Sequence, residues 1–201
     1  MGKWWHWCDT RIKIMKMKRI GIIVDGPGDL KSLKTKYDGK FKILKTDGPR
    51  GHCAPVDKII SNSKKQIKML QALKCNKVII MLDFECRLCN YDEFINQLFE
   101  QVKIQELSDI VSFVVPNKMI ENWYLADIEY LSSKKKYLKD SIKQKKYEGL
   151  HGKDEIKKLM KNNFTYSETE HGPELFTLIR EDIACKNSFS FNMFYELINE
   201  K

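Results

Sequence analysis

The 201-residue chain is poor in several features that would have settled its class at once. No stretch reaches the ~18 consecutive apolar residues of a membrane-spanning helix, so a span is excluded. The opening MGKWWHWCDTRIKIMKMKR lacks both the continuous apolar core and the small-residue cleavage site of a secretory signal. Six cysteines are too few for a disulfide scaffold at this length. Without an export signal, reduced thiols and a cytoplasmic location are expected. A disordered composition is missing too: 42% hydrophobic and 31% charged residues supply a core. The length suits one domain, or a small domain with an appendage.

The familiar catalytic signatures are also missing. Asp25-Gly26-Pro27-Gly28-Asp29 is not a Walker loop, because no Gly-Lys-Ser/Thr follows it. It lacks the third glycine and the later ribose-binding acid of a dinucleotide site. Cys86-Arg87-Leu88-Cys89 stands alone, with no second pair at zinc-site spacing. His52-Cys53 would complete such a site only if its loop folded over. His6, His52, His151 and His171 show no ligand spacing, and no Ser-His-Asp or Cys-His arrangement has local support.

What is present begins with charge. Thirty-six Lys and Arg face twenty-seven Asp and Glu, for a net +9. Such a surplus attracts nucleic acid without sequence preference. A lysine-rich solvated surface accounts for it equally well. Lys134 to Lys161 holds eleven lysines and four acids, so +7 of the surplus lies there. Tyr137, Tyr147 and Phe164 are interleaved, a mixture suited to backbone contacts and base stacking. A solvated helical face with its own core aromatics has the same appearance. Lys134, Lys135, Lys136, Lys143, Lys145 and Lys146 are the candidate nucleic-acid contacts.

The chain divides into three stretches: an extension at 1–17, an α/β core at 18–132, and a basic helical region at 133–201 packed on it. Trp4, Trp5 and Trp7 set the extension apart. Either it packs on the domain, or translation starts at Met15 or Met17. Ile20–Val24, Phe41–Leu44, Val78–Leu82 and Ile110–Val115 read as strands. Val56–Leu73 reads as a helix with Ile59, Ile60, Ile67, Leu70 and Leu73 on one face. Tyr91–Leu107 turns Phe94, Leu98, Phe99 and Val102 inward, and Ile120–Leu131 is a third helix. Later helices are expected near 153–161, 173–185 and 190–199. Strands alternating with helices imply βαβ units and a Rossmann-like, mainly parallel sheet of about four strands with right-handed crossovers.

In such a sheet, sites lie beyond the carboxyl ends of the strands. The strong strands all deliver acid there: Asp25 and Asp29 after the first, Asp83 and Glu85 after the third, Glu121 after the fourth. Asp83 and Glu85, two residues apart in extended chain, share one face about 7 Å apart. Clustered carboxylates repel unless a cation neutralises them, and oxygen-only donors suit Mg²⁺ or Mn²⁺. Each acid has a plainer reading: Asp25 and Asp29 as turn or N-cap residues, Glu121 as a first-turn acid on the helix dipole. Together they point to metal-dependent phosphoryl chemistry. Lys153, in His151-Gly152-Lys153, could meet an anionic transition state or be merely solvated.

This pattern resembles a Toprim domain. Val24-Asp25-Gly26-Pro27-Gly28-Asp29 is similar to the Glu-Gly-x-x-Glu turn of nuclease-type Toprim proteins, and Leu82-Asp83-Phe84-Glu85 to the later strand ending in Asp-x-Asp. More narrowly, the chain resembles small stand-alone bacterial Toprim-like proteins grouped as a domain of unknown function. Their Glu-x-Trp-Leu-x-Asp helix resembles Glu121-Asn122-Trp123-Tyr124-Leu125-Ala126-Asp127, which carries one residue more between Trp and Leu. Their His-Gly-Lys is matched by His151-Gly152-Lys153, and their Ser-x-Ser-Phe-x-x-Phe end by Ser188 to Phe194. The resemblance spans roughly residues 18–198.

It implies Mg²⁺- or Mn²⁺-dependent cleavage or processing of DNA or RNA, with Asp25, Asp29, Asp83 and Glu85 as metal ligands. Asp25, Asp83, Glu85, Glu121 and Lys153 form the implied catalytic set. It also implies a setting in bacterial anti-phage defence, a possible ATPase partner and possible self-association. Two departures bear on activity. Asp25 and Asp29 replace the family's Glu residues, and Gly28 replaces its Thr or Ser. A ligand withdrawn by about 1.5 Å can impair catalysis. The alternative is therefore a weakened module that grips nucleic acid or an ATPase without cutting.

Overall fold

Four strands form one sheet in the order β2-β1-β3-β4, every neighbouring pair parallel. They are β1 (Ile20–Val24), β2 (Lys42–Lys45), β3 (Lys77–Met81) and β4 (Val111–Val114). The computed structural model describes residues 19–48, 54–85 and 87–200. The proposed extension at 1–17, with Trp4, Trp5, Trp7 and His6, lies outside them, as do His52, Cys53 and Cys86.

The near-continuous apolar character of β1 and β3 follows from burial on both faces. Side chains alternate between two cores. Ile22, Val24, Ile79, Met81 and Val114 join one apolar cluster. Ile23, Val78, Ile80, Val111 and Phe113 join the other. The second is covered by α2 (Val56–Ala72) and α3 (Tyr91–Ile104), through Ile60, Ile67, Leu70, Phe94, Leu98 and Val102. Leu73 and Phe99, expected inward, are about half exposed (49% and 52%). Leu73 follows the last turn of α2, and Phe99 reaches only the edge of the Phe113 ring.

The first face carries the rest of the chain. Helix α1 (Pro27–Lys36) was not foreseen, because its apolar content is low and only Leu33 is a deeply buried large side chain. Pro27 starts it, where its missing N–H costs nothing. The expected helix 120–131 is two pieces, α4 (Glu121–Leu125) and α5 (Ile128–Lys134), separated where Asp127 turns to bind Arg180. α6 (Gly152–Leu159) follows. The expected 173–185 helix is α7 (His171–Leu178) and α8 (Glu181–Asn187), and α9 (Phe189–Asn199) completes the layer.

The division at 132/133 does not separate two cores. Leu138, Ile142, Tyr147, Ile156, Met160, Phe176, Phe191 and Phe194 pack in one cluster with Ile22 and Met81. Trp123 lies at its centre, fully buried, stacked on Phe194 and edge-on to Phe191. Its indole N–H donates to Ser190 Oγ at 2.9 Å.

Candidate functional site

At the carboxyl edge of the sheet a pocket of about 200 Å³ is lined by Asp25, Gly26, Gly28, Asp29, Asp83, Glu85, Ile120, Glu121, Tyr124, Lys153 and Glu168. All six residues chosen as catalytic or metal-binding from the sequence line this one space. They come from the ends of β1 and β3 and the starts of α1, α4 and α6.

Local chain chemistry accounts for each arrival. Asp29 is the third residue of α1, and its carboxylate accepts the Gly26 N–H at 3.0 Å. Asp29 is thus a first-turn acid of α1 and not its N-cap, which is Gly26, and the same acid lines the pocket. Asp83 accepts the Ile120 N–H at 3.1 Å, tying the end of β3 to the start of α4. Glu85 takes a left-handed conformation (φ 47°), held by its N–H donating to Lys118 O and its carbonyl accepting from Lys118 Nζ. Glu121 opens α4 and is buried; its Oε1 accepts the Tyr166 hydroxyl at 3.0 Å. Glu121 Oε2 is buried with no hydrogen-bond partner among the described residues.

Gly152 explains how Lys153 gets there. A methyl group on Gly152 would lie 2.7 Å from Glu121 Cβ and 3.0 Å from both Asn122 N and Asn122 Oδ1. Only glycine lets α6 press its first turn onto α4. Asn122 secures the approach: its Nδ2 donates to Tyr147 O (2.6 Å) and Leu150 O (3.0 Å), and its Oδ1 accepts from Met119 N (3.2 Å). Lys153 then forms an ion pair with Glu168 at 2.9 Å.

The acids disturb one another. Burial pushes Asp29 up to about 6, against its bond from Gly26, with Asp25 adding to the rise and Lys153 opposing it. Burial raises Asp83 well above the carboxylate range, helped by Asp29, Glu121 and Glu85. Burial raises Glu121 to about 7, with Lys153 opposing and Asp29 adding. For Lys153, burial pulls the ammonium down, but Glu168, Glu121 and Asp83 outweigh it and the net shift is upward. These are the marks of negative charge crowded into a space short of water. As the side chains stand, no three His, Cys, Asp or Glu among the described residues are grouped as ligands of one ion.

Three residues of the pocket neighbourhood had not been singled out. Tyr124 lies three after Glu121 on the same helix face, a spacing that could have flagged it; its hydroxyl hydrogen-bonds Ser32 Oγ at 3.0 Å. Tyr166 and Glu168 sit between α6 and α7, where no periodicity marks them. The candidate nucleic-acid lysines are spent unevenly. Lys135 pairs with Glu174, Lys143 with Glu129 and Lys145 with Glu155. Lys134 lies over the Tyr130 ring. Lys136 and Lys146 make no ion pair among the described residues. Of the aromatics suggested for stacking, Tyr147 is core and Tyr137 donates to Glu174, while Phe164 is exposed.

An all-parallel sheet flanked by helices places the chain among the open α/β folds, and the acid-lined pocket lies at the sheet's carboxyl edge. Residues 31–199 match the family described as a domain of unknown function, DUF4276, and the chain belongs to that family. No curated protein and no solved structure gave a match. The matched span begins within α1 and runs to the end of α9; it includes Asp83, Glu85, Glu121, Lys153 and Glu168 of the pocket, and leaves out β1, Asp25 and Asp29.

Proposed function

We propose that this chain is a Toprim-type, Mg²⁺-dependent phosphodiesterase acting on nucleic acid. The observation that carries the reading is the pocket itself: six acids from several chain segments and one lysine line it, and Glu121 Oε2 is buried there without a partner among the described residues. The donor set fits a hard divalent cation, since every candidate ligand is a carboxylate oxygen. Asp25, Asp29, Asp83 and Glu85 would hold the ion once their side chains turn inward. A bound Mg²⁺ would neutralise phosphoryl oxygens and lower the pKa of an attacking water.

The chain's own groups do the rest. Ile120 N–H keeps the Asp83 carboxylate at the sheet edge. The Tyr166 hydroxyl fixes one Glu121 oxygen and leaves the other to accept a proton. With its carboxyl raised to about 7, Glu121 can take and return a proton near neutrality. Lys153 supplies positive charge for a pentavalent phosphorus centre. The pocket is smaller than the roughly 300–1,000 Å³ usual for drug-sized ligands. It suits a phosphate group better than a whole nucleotide, so recognition runs through the backbone.

A non-cleaving module is the second reading. Asp25 and Asp29, shorter than the glutamates of the Toprim turn they resemble, favour it. Anti-phage defence beside an ATPase rests on the resemblance alone. The deciding experiment is a cleavage panel over single- and double-stranded DNA and structured RNA, with Mg²⁺, Mn²⁺ or EDTA, for the native chain and Asp83→Asn. Asparagine keeps an acceptor for Ile120 N–H and removes the charge. Metal-dependent cleavage lost in Asp83→Asn supports the enzyme. Binding without cleavage, indifferent to metal and to the substitution, supports the module.

A further inference from the structure

Among the described residues Lys153 is the one basic residue lining the pocket, and the acid it pairs with is Glu168, not one of those at the sheet edge. Its ammonium lies 2.9 Å from Glu168, whose side chain is 48% exposed while that of Lys153 is 25% exposed. The backbone around Glu168 is well held. Tyr166 donates to Glu121, the Ser167 N–H donates to His171 Nδ1 at 3.0 Å, and the His171 N–H donates to Ser167 O at 2.9 Å. Gly28 lies directly beneath: a methyl group there would sit 3.3 Å from Glu168 Cβ and 3.6 Å from its carbonyl oxygen. The main chain is held on both sides, while the Glu168 side chain, half exposed, has water beside it as well as Lys153.

We propose that Glu168 is a displaceable counter-ion: it holds Lys153 in the resting protein and yields it to a phosphoryl oxygen of an incoming phosphodiester. The inference rests on the phosphodiesterase reading and adds a specificity device to it. An anion gains Lys153 only by outcompeting a carboxylate. A phosphate bearing neighbouring phosphates does so readily, whereas a lone carboxylate-bearing metabolite does not. Glu168 is thus a positioning residue, acting through Lys153.

Binding of a fluorescein-labelled single-stranded oligonucleotide, with Ca²⁺ replacing Mg²⁺ to hold off cleavage, tests this in the full chain. Glu168→Gln should bind about two- to five-fold tighter, the scale of a partly exposed ion pair released. Its salt slope should stay near the native one, because Lys153 meets a phosphate in both complexes, and should fall by about one contact in Lys153→Ala. The gain in affinity should vanish when Lys153→Ala is added. Glu168→Asp, which keeps the charge on a shorter arm, should fall between native and Gln. If Glu168→Gln binds no tighter while Lys153→Ala weakens binding, the counter-ion role is overturned and the phosphate site stands. If neither substitution moves affinity or salt slope, the pocket is not where the phosphate binds, and the function reading fails with it.

Discussion

Replacing Gly152 with alanine inserts a methyl group into a space already filled. The new carbon would meet Glu121 Cβ at 2.7 Å and the backbone nitrogen of Asn122 at 3.0 Å. Neither neighbour can retreat easily. Glu121 and Asn122 begin the buried helix α4, and Asn122 holds three hydrogen bonds. Overpacking of this kind costs about 1–3 kcal/mol. The better helix propensity of alanine offsets at most about 1 kcal/mol, and less at a helix's first residue. The net loss should lower Tm by roughly 2–4 °C per kcal/mol in a chain of this length. It should also push α6 outward, drawing Lys153 away from Glu121. Urea and thermal unfolding of Gly152→Ala measure the first effect; oligonucleotide affinity in Ca²⁺ measures the second. A variant within about 0.5 kcal/mol of the native protein, with unchanged affinity, would refute the claim that this contact sets the position of Lys153.

Three further outcomes are expected. Glu121 rises from 4.5 to about 7 on folding, so the folded state binds its proton more tightly. That contribution is full below about pH 4.5 and lost as pH passes through about 7; Glu121→Gln should therefore be the more stable protein at pH 8, by at most about 3 kcal/mol, with the advantage shrinking toward pH 5 in urea melts. A native protein more stable than the variant at pH 8 would contradict the burial argument. Ser190→Ala strips the buried Trp123 indole of its acceptor and should cost about 1–3 kcal/mol by chemical unfolding; a neutral result would mean the N–H finds another partner. Saturating MgCl₂ should raise Tm, by about 2.7 kcal/mol of stability at a hundred times Kd, and Asp83→Asn should abolish the rise; equal shifts in both proteins would place the ion elsewhere.

Strand number and direction were legible because period-2 and continuous apolar runs survive in a single sequence. β1 and β3 read clearly since burial on both faces leaves Ile20–Val24 and Val78–Met81 without polar side chains. Their terminal acids were legible for the same reason: an Asp directly after five apolar residues marks the strand's end. Helix boundaries were less so. Asp127 breaks α4 from α5 by binding Arg180, fifty-three residues away, and no local pattern announces that. Phe99 counted as core by spacing and lies half in solvent, because the helix face is wider than the surface it covers.

The sequence by itself determined that apolar runs would stack into a parallel sheet and that carboxylates would gather at its carboxyl edge, since strand ends and helix starts lie close along the chain. Only the tertiary structure decided what answers those carboxylates. Lys153 arrives through a glycine contact between α4 and α6, Tyr166 and Glu168 through a stretch without periodicity, and Trp123 meets Ser190, 67 residues further along the chain. These pairings join residues distant in sequence, and it is packing of the whole chain that brings them within hydrogen-bonding reach.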